Sequence, residues 1–173
     1  MLEILQKILI GVFGCALIFF PIAYRMMDKI RFHGQMCVRQ MDGGLLRWIE
    51  TASGLVALDA DDPSAAGEYA RIAEQYRKTR SGKTDEKIRL VNEAYELVRR
   101  AAISSYGDGR ATRICGELDE IFADLSVLAG DYNANAKKFN EQLEAGFSGF
   151  LGKAFFFRPQ PVLEDLTDLK TAP

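Results

Sequence analysis

From Ile8 to Tyr24 the chain runs for 17 residues without a charge, bounded by Lys7 and Arg25. With Leu2 to Gln6 counted in, and Lys7 reaching its ammonium back to an interface, the segment attains the roughly 20 residues that a helix needs to cross about 30 Å of hydrocarbon. The sequence therefore predicts a transmembrane helix over residues 1–24. A cleaved secretory signal fits poorly, because Lys7 is the only basic residue ahead of the run and the apolar stretch continues well past the length of a signal core. A lipoprotein signal at Val12-Phe13-Gly14-Cys15 also fits poorly, since Phe13 is bulky and nine further uncharged residues follow Cys15. Gly11 and Gly14 stand three apart and would let a second helix approach closely, which makes them candidates for self-association.

Orientation follows from the flanks. Arg25, Lys29, Arg31 and Arg39 follow the run, against Lys7 and the amino terminus before it, so the basic side predicts a cytoplasmic C-terminal portion. Cys37 and Cys115 stand singly, without a histidine spaced for metal or nucleophilic chemistry, and are expected to be free thiols. The net charge of −2 argues against a nucleic-acid partner, which would call for a strongly basic face.

The 149 residues after Tyr24 suffice for one substantial core. Ile30, Gly34, Cys37, Met41, Leu45, Trp48, Ala52 and Leu55 recur every three or four positions and predict one face of a long helix that continues out of the apolar run. Gly43 and Gly44 are expected to be its weakest point. Asp59 to Pro63 terminates it; a second helix from Ser64 to about Thr79 carries Tyr69, Ile72, Ala73 and Tyr76, and a third from about Asp85 to Ser105 carries Ile88, Val91, Tyr95, Val98 and Ala102. Ser81-Gly82 between them is either a reversal or a kink, and Tyr106-Gly107-Asp108-Gly109 reads as a turn.

The last long helix, about Arg110 to Phe147, carries Ile114, Leu118, Ile121, Leu125, Leu128, Tyr132, Asn135, Phe139 and Leu143, a stripe close to a seven-residue repeat. Such a stripe packs along its length against long partners in a bundle, with coiled-coil character. Asn135 occupies a position where the stripe expects an apolar group, which predicts an interhelical hydrogen bond. Beyond it, Phe150, Phe155, Phe156 and Phe157 alternate with glycines and prolines, and so many rings must dock on the bundle, on a partner or on a membrane interface. The predicted organisation is an anchor over 1–24, a bundle over 25–149 and an aromatic tail over 150–173.

No catalytic constellation emerges. Ser81-Gly82-Lys83-Thr84 ends like a phosphate loop, but Arg77 stands where the first glycine is required and a helix precedes it; Thr84 is expected to act as a helix cap. His33 is the single histidine, and Glu117, Asp124 and Asp131 fall on a solvated flank. No enzyme activity, cofactor, metal or small-molecule substrate is predicted.

The chain resembles the LemA family of bacterial membrane proteins. Tyr24, Met27, Arg31, Met41-Asp42, Leu45, Arg47, Glu50 and Leu55-Val56 stand at the spacing of that family's opening helix. The turn Tyr106 to Ala111 is similar to its Tyr-Pro-Asp-Leu-Lys-Ala turn, and Tyr132-Asn133 followed by Phe139-Asn140 resembles its paired aromatic-Asn signature. Leu151-Gly152-Lys153, Phe157, Pro159 and Pro161 resemble its terminal segment. Arg25, Cys37-Val38, Ser53 and Gly107 depart from the pattern, as in a divergent member. The resemblance implies an all-α fold: an N-terminal transmembrane helix followed by an up-and-down antiparallel four-helix bundle in the cytoplasm, at the bacterial inner membrane. It brings no catalytic residues. It suggests a scaffold or adaptor organising membrane proteins, with a membrane-remodelling or lipid-organising protein that oligomerises in the bilayer as the alternative. The expected partners are membrane lipid and a second copy or another membrane protein, held through Gly11, Gly14, Trp48, Tyr132, Asn133, Phe139, Asn140, Phe150, Phe155 and Phe157.

Overall fold

Helix formation follows the apolar spacing closely. The computed structural model describes residues 1–59, 63–80, 83–144, 149–150, 152 and 155–163; the side chains of Leu2, Val12, Cys15 and Ala16 also fall outside that description. The protein is all-α, with helices α1 (Leu2–Val56), α2 (Pro63–Lys78), α3 (Thr84–Ser104) and α4 (Gly109–Glu144), and no strand occurs among the described residues. The apolar run and the following amphipathic stretch thus form one unbroken helix, with Pro21 inside it. Ser81-Gly82 lies outside the described residues.

Two compact units divide the chain. The first is Met1–Gln35 with Asn133–Val162; the second is Met36–Tyr132, joined among the described tail residues by Leu163. Both α1 and α4 contribute to each.

In the second unit, the α1 stripe Cys37, Met41, Leu45, Trp48, Ala52 and Leu55 is buried, together with Ile49 and Val56. Tyr69 on α2 donates to the Ile49 carbonyl oxygen at 2.5 Å and Tyr76 to that of Asp42 at 3.2 Å, so α2 runs antiparallel to α1. Arg71 meets Glu93 at 3.1 Å while Lys87 lies over the Tyr76 ring, so the chain reverses between α2 and α3. On α4, Leu125 and Ile114 face Gly44 and Gly54 of α1, again antiparallel. A methyl group on Gly44 would stand 2.7 Å from Leu125 Cδ2, so this glycine marks a close approach of two helices and not merely a weak point in one.

Four members of the expected α4 stripe, Ile114, Leu128, Asn135 and Leu143, are only half-buried. Ala129 and Ala136 are buried where Leu128 and Asn135 were expected. Small side chains let α4 settle closer to its neighbours, and the ridge turns by one position to present them. The cap before α3 also differs: Lys83 holds the cap position with no side-chain cap bond, while Thr84 begins the helix and is buried. Asp85 and Glu86 in the first turn provide the favourable charge at the helix start instead. The turn after α3 contains Gly107 at φ +94°, which its composition predicted.

In the first unit, the described large apolar side chains from Ile4 to Ile22 stand 57–64% exposed apart from the half-buried Phe20, and they include the successive Ile8, Leu9 and Ile10, which point about 100° apart around the helix. Burial begins at Met27. Among the described residues no helix is long and apolar enough to cross a membrane; Val12, Cys15 and Ala16, inside the run, have side chains outside that description.

Candidate functional site

The aromatic tail folds back onto α1 and α4 within the first unit. Phe155 sets its ring edge-on to Phe20 at 5.1 Å and to Tyr24 at 4.9 Å, at the C-terminal end of the apolar run. Phe157 packs against Tyr24 at 5.8 Å and perpendicular to Phe139 at 5.9 Å, with the Arg31 guanidinium 5.9 Å from its centroid. Edge-to-face geometry places the positive rim of one ring on the negative face of the next, which adds to the area buried. Phe156 takes φ +57°, in the left-handed region that side chains disfavour, and its ring is 89% exposed. That kink lets its two neighbours turn toward the helices, and the Phe157 N–H closes the turn on the Gly152 carbonyl at 2.9 Å.

A polar clamp fixes the tail. Asn140 Nδ2 donates to the Gln160 carbonyl and the Gln160 N–H donates to Asn140 Oδ1, both at 2.8 Å. Gly34 on α1 gives the Gln160 side chain room, since a methyl there would stand 3.0 Å from Gln160 Oε1. Gly152 is buried against Leu143 and Met27. The aromatic-Asn pair of the sequence therefore has a structural use at Phe139-Asn140: one residue seats a tail ring and the next binds the tail backbone.

The other expected interface residues fall in different settings. Gly11 and Gly14 have open space where a side chain would project. Trp48 is 1% exposed and Tyr132 is buried, both in the second unit, while Asn133 is half-buried. Phe139 is buried, and Phe150 is 65% exposed. An apolar groove of about 590 Å³ lined by Phe13, Leu17, Phe20, Pro21, Tyr24, Arg25 and Phe155 lies beside the tail ring.

Sequence reasoning missed a charged pair in the second unit. Lys87 Nζ lies 2.9 Å from Asp42 Oδ2 and 5.4 Å from the Tyr76 ring. Burial, and then the Asp42 charge, raise the Tyr76 pKa; burial likewise raises that of Tyr69. Cys37 and Cys115 are free thiols, and burial raises both above the ordinary range. Cys115 lines a 390 Å³ pocket with Val98, Ile103 and Ala111. Among the described residues no cluster of His, Cys, Asp and Glu is placed to hold a metal.

No family model, curated protein or solved structure matches the chain.

Proposed function

We propose that this protein is a LemA-like, membrane-anchored scaffold or adaptor, with α1 crossing the bacterial inner membrane through Ile8–Tyr24 and an up-and-down antiparallel four-helix bundle on the cytoplasmic side. The observation that carries the reading is the exposure of large apolar side chains on successive faces of α1 from Ile4 to Ile22, Phe20 beneath the tail ring excepted, followed by one-sided burial from Met27 onward. Exposed apolar surface of that extent is costly in water and neutral in hydrocarbon. The antiparallel contacts of α1 with α2 and α4, and of α2 with α3, support the bundle. The basic flank Arg25, Lys29 and Arg31 supports the orientation.

Retention in membranes washed with alkaline carbonate tests the anchor: the wild type stays with the lipid, and Ile10→Arg with Leu17→Arg releases it. The mass of the detergent-extracted protein, beside that of Gly11→Leu with Gly14→Leu, tests assembly in the membrane plane. A defined oligomer that the double variant reduces to monomer supports a homo-oligomeric scaffold; a monomer in both cases directs the search to another membrane protein.

A second reading, a lipid-organising protein, draws support from Phe150 and Phe156, whose rings are exposed on the tail that packs against Tyr24. It predicts that vesicles of anionic lipid change shape or cluster with the wild type and not with Phe150→Asp, Phe156→Asp.

A further inference from the structure

Just beyond the apolar run, α1 and α4 line an open pocket of about 380 Å³ that the scaffold reading leaves without a purpose. Lys29 and His33 line it from α1, and Asn135, Lys138 and Gln142 from α4, all within the first unit. We propose that this pocket binds the phosphate of an anionic phospholipid headgroup, a proposal that rests on the reading of Ile8–Tyr24 as a membrane span.

Four features carry it. The lining holds two ammonium groups, an imidazole and two amides, and no carboxylate; Asp28 and Glu141, close in sequence, do not line it. Among the described residues neither Lys29 nor Lys138 forms an ion pair. Two exposed cations without an ion pair beside one concave site favour a bound anion, and basic pockets between helices on the cytoplasmic side are suited to phospholipid headgroups. The remaining lining is apolar, with Met26 and Phe32 exposed, so the same site offers contact to the apolar part of an amphiphile and not to a phosphate alone. Depth agrees as well. At 1.5 Å per residue, Lys29 lies about 8 Å past Tyr24, and helical side chains lean toward the N-terminus, which here is the membrane side. The headgroup region extends roughly 5–8 Å beyond the hydrocarbon on each face.

Native mass spectrometry of the full-length, detergent-extracted protein tests this with dioleoyl phosphatidylglycerol against dioleoyl phosphatidylcholine. The expected result is a preference for phosphatidylglycerol that falls about thirtyfold in Lys29→Gln with Lys138→Gln, at about fivefold per lysine. Lys137→Gln, on α4 outside the pocket, leaves it unchanged. Equal retention of the two lipids, or an unchanged preference in the double variant, overturns the proposal. Displacement of phosphatidylglycerol by millimolar inorganic phosphate also overturns it, in favour of a soluble anion. Carbonate extraction separates the two levels: a protein that stays in the membrane without lipid preference keeps the anchor and loses the site, whereas one that washes off loses both.

Discussion

The ammonium of Lys87 lies 2.9 Å from Oδ2 of Asp42, with the two side chains only 8% and 11% exposed. One sits on α3 and the other on α1, beside the Gly43-Gly44 step, and Tyr76 of α2 touches both partners through its ring and hydroxyl. Three helices are therefore registered against each other at one polar point inside a mostly apolar core. Charges withdrawn from water in this way contribute little net stability as a pair, yet each becomes costly once its partner is removed.

Lys87→Met is expected to lower stability by about 3–5 kcal/mol, because it leaves the Asp42 carboxylate buried. Lys87→Met combined with Asp42→Leu should cost less than the single change. Denaturation of the purified protein followed by circular dichroism measures both, and a double variant weaker than Lys87→Met would show that the pair itself stabilises the fold.

Alkaline pH should loosen the second unit. Burial raises Tyr69 and Tyr76, so the folded state prefers the neutral phenols while the unfolded chain ionises near its ordinary value of about 10. Their contribution is intact below about pH 10 and is lost as pH climbs above it. Tyr76→Phe should flatten the decline above pH 10, which a series of thermal melts from pH 8 to 12 would reveal.

Asn140→Ala removes both clamp bonds and is expected to release the tail at a cost of about 1–3 kcal/mol. Asn140→Asp keeps the acceptor for the Gln160 N–H and loses the donor to its carbonyl, so its effect should be smaller. Hydrogen exchange at the Gln160 amide is the direct readout, with the fastest exchange in the alanine variant.

The adjacent glycines of α1 should respond in opposite directions. Gly43 has open space, so Gly43→Ala gains up to about 1 kcal/mol of helix propensity. Gly44→Val drives a branched side chain into Leu125 and should cost about 1–3 kcal/mol. Melting temperatures of the two variants decide the matter.

Phe156→Gly relieves a left-handed backbone while removing an exposed ring, and should stabilise the docked tail by about 1 kcal/mol. Slower exchange at Gln160 in this variant would show it.

Much of this architecture was legible because burial leaves a periodic trace. The stripes of α1, α2 and α3 follow from spacing, and the breaks between helices from Pro63 and the turn at Gly107. The α4 stripe slipped at Leu128 and Asn135, since a pattern built on large apolar groups undervalues Ala129 and Ala136, whose use is to be small. Asp42 and Lys87 each sit beside an apolar stripe, where a charge reads as a solvated flank; only the packing of two helices brings them together. The tail rings were expected to dock, but Phe20, Tyr24 and Phe139 as their seats depend on contacts across more than a hundred residues for α1, which no local pattern records.

The clamp on Gln160 also has a bearing on alignment of the tail. Pro159 and Pro161 carry no N–H, so across these three residues Gln160 offers the single backbone donor, and it is the one that Asn140 accepts from. A slip of one residue in either direction would present a proline nitrogen to Asn140 Oδ1 and forfeit that bond. The two prolines thus act as a ratchet stop that permits only one setting of the strap, while the glutamine between them is read through its backbone and could be exchanged for many other residues without losing the position.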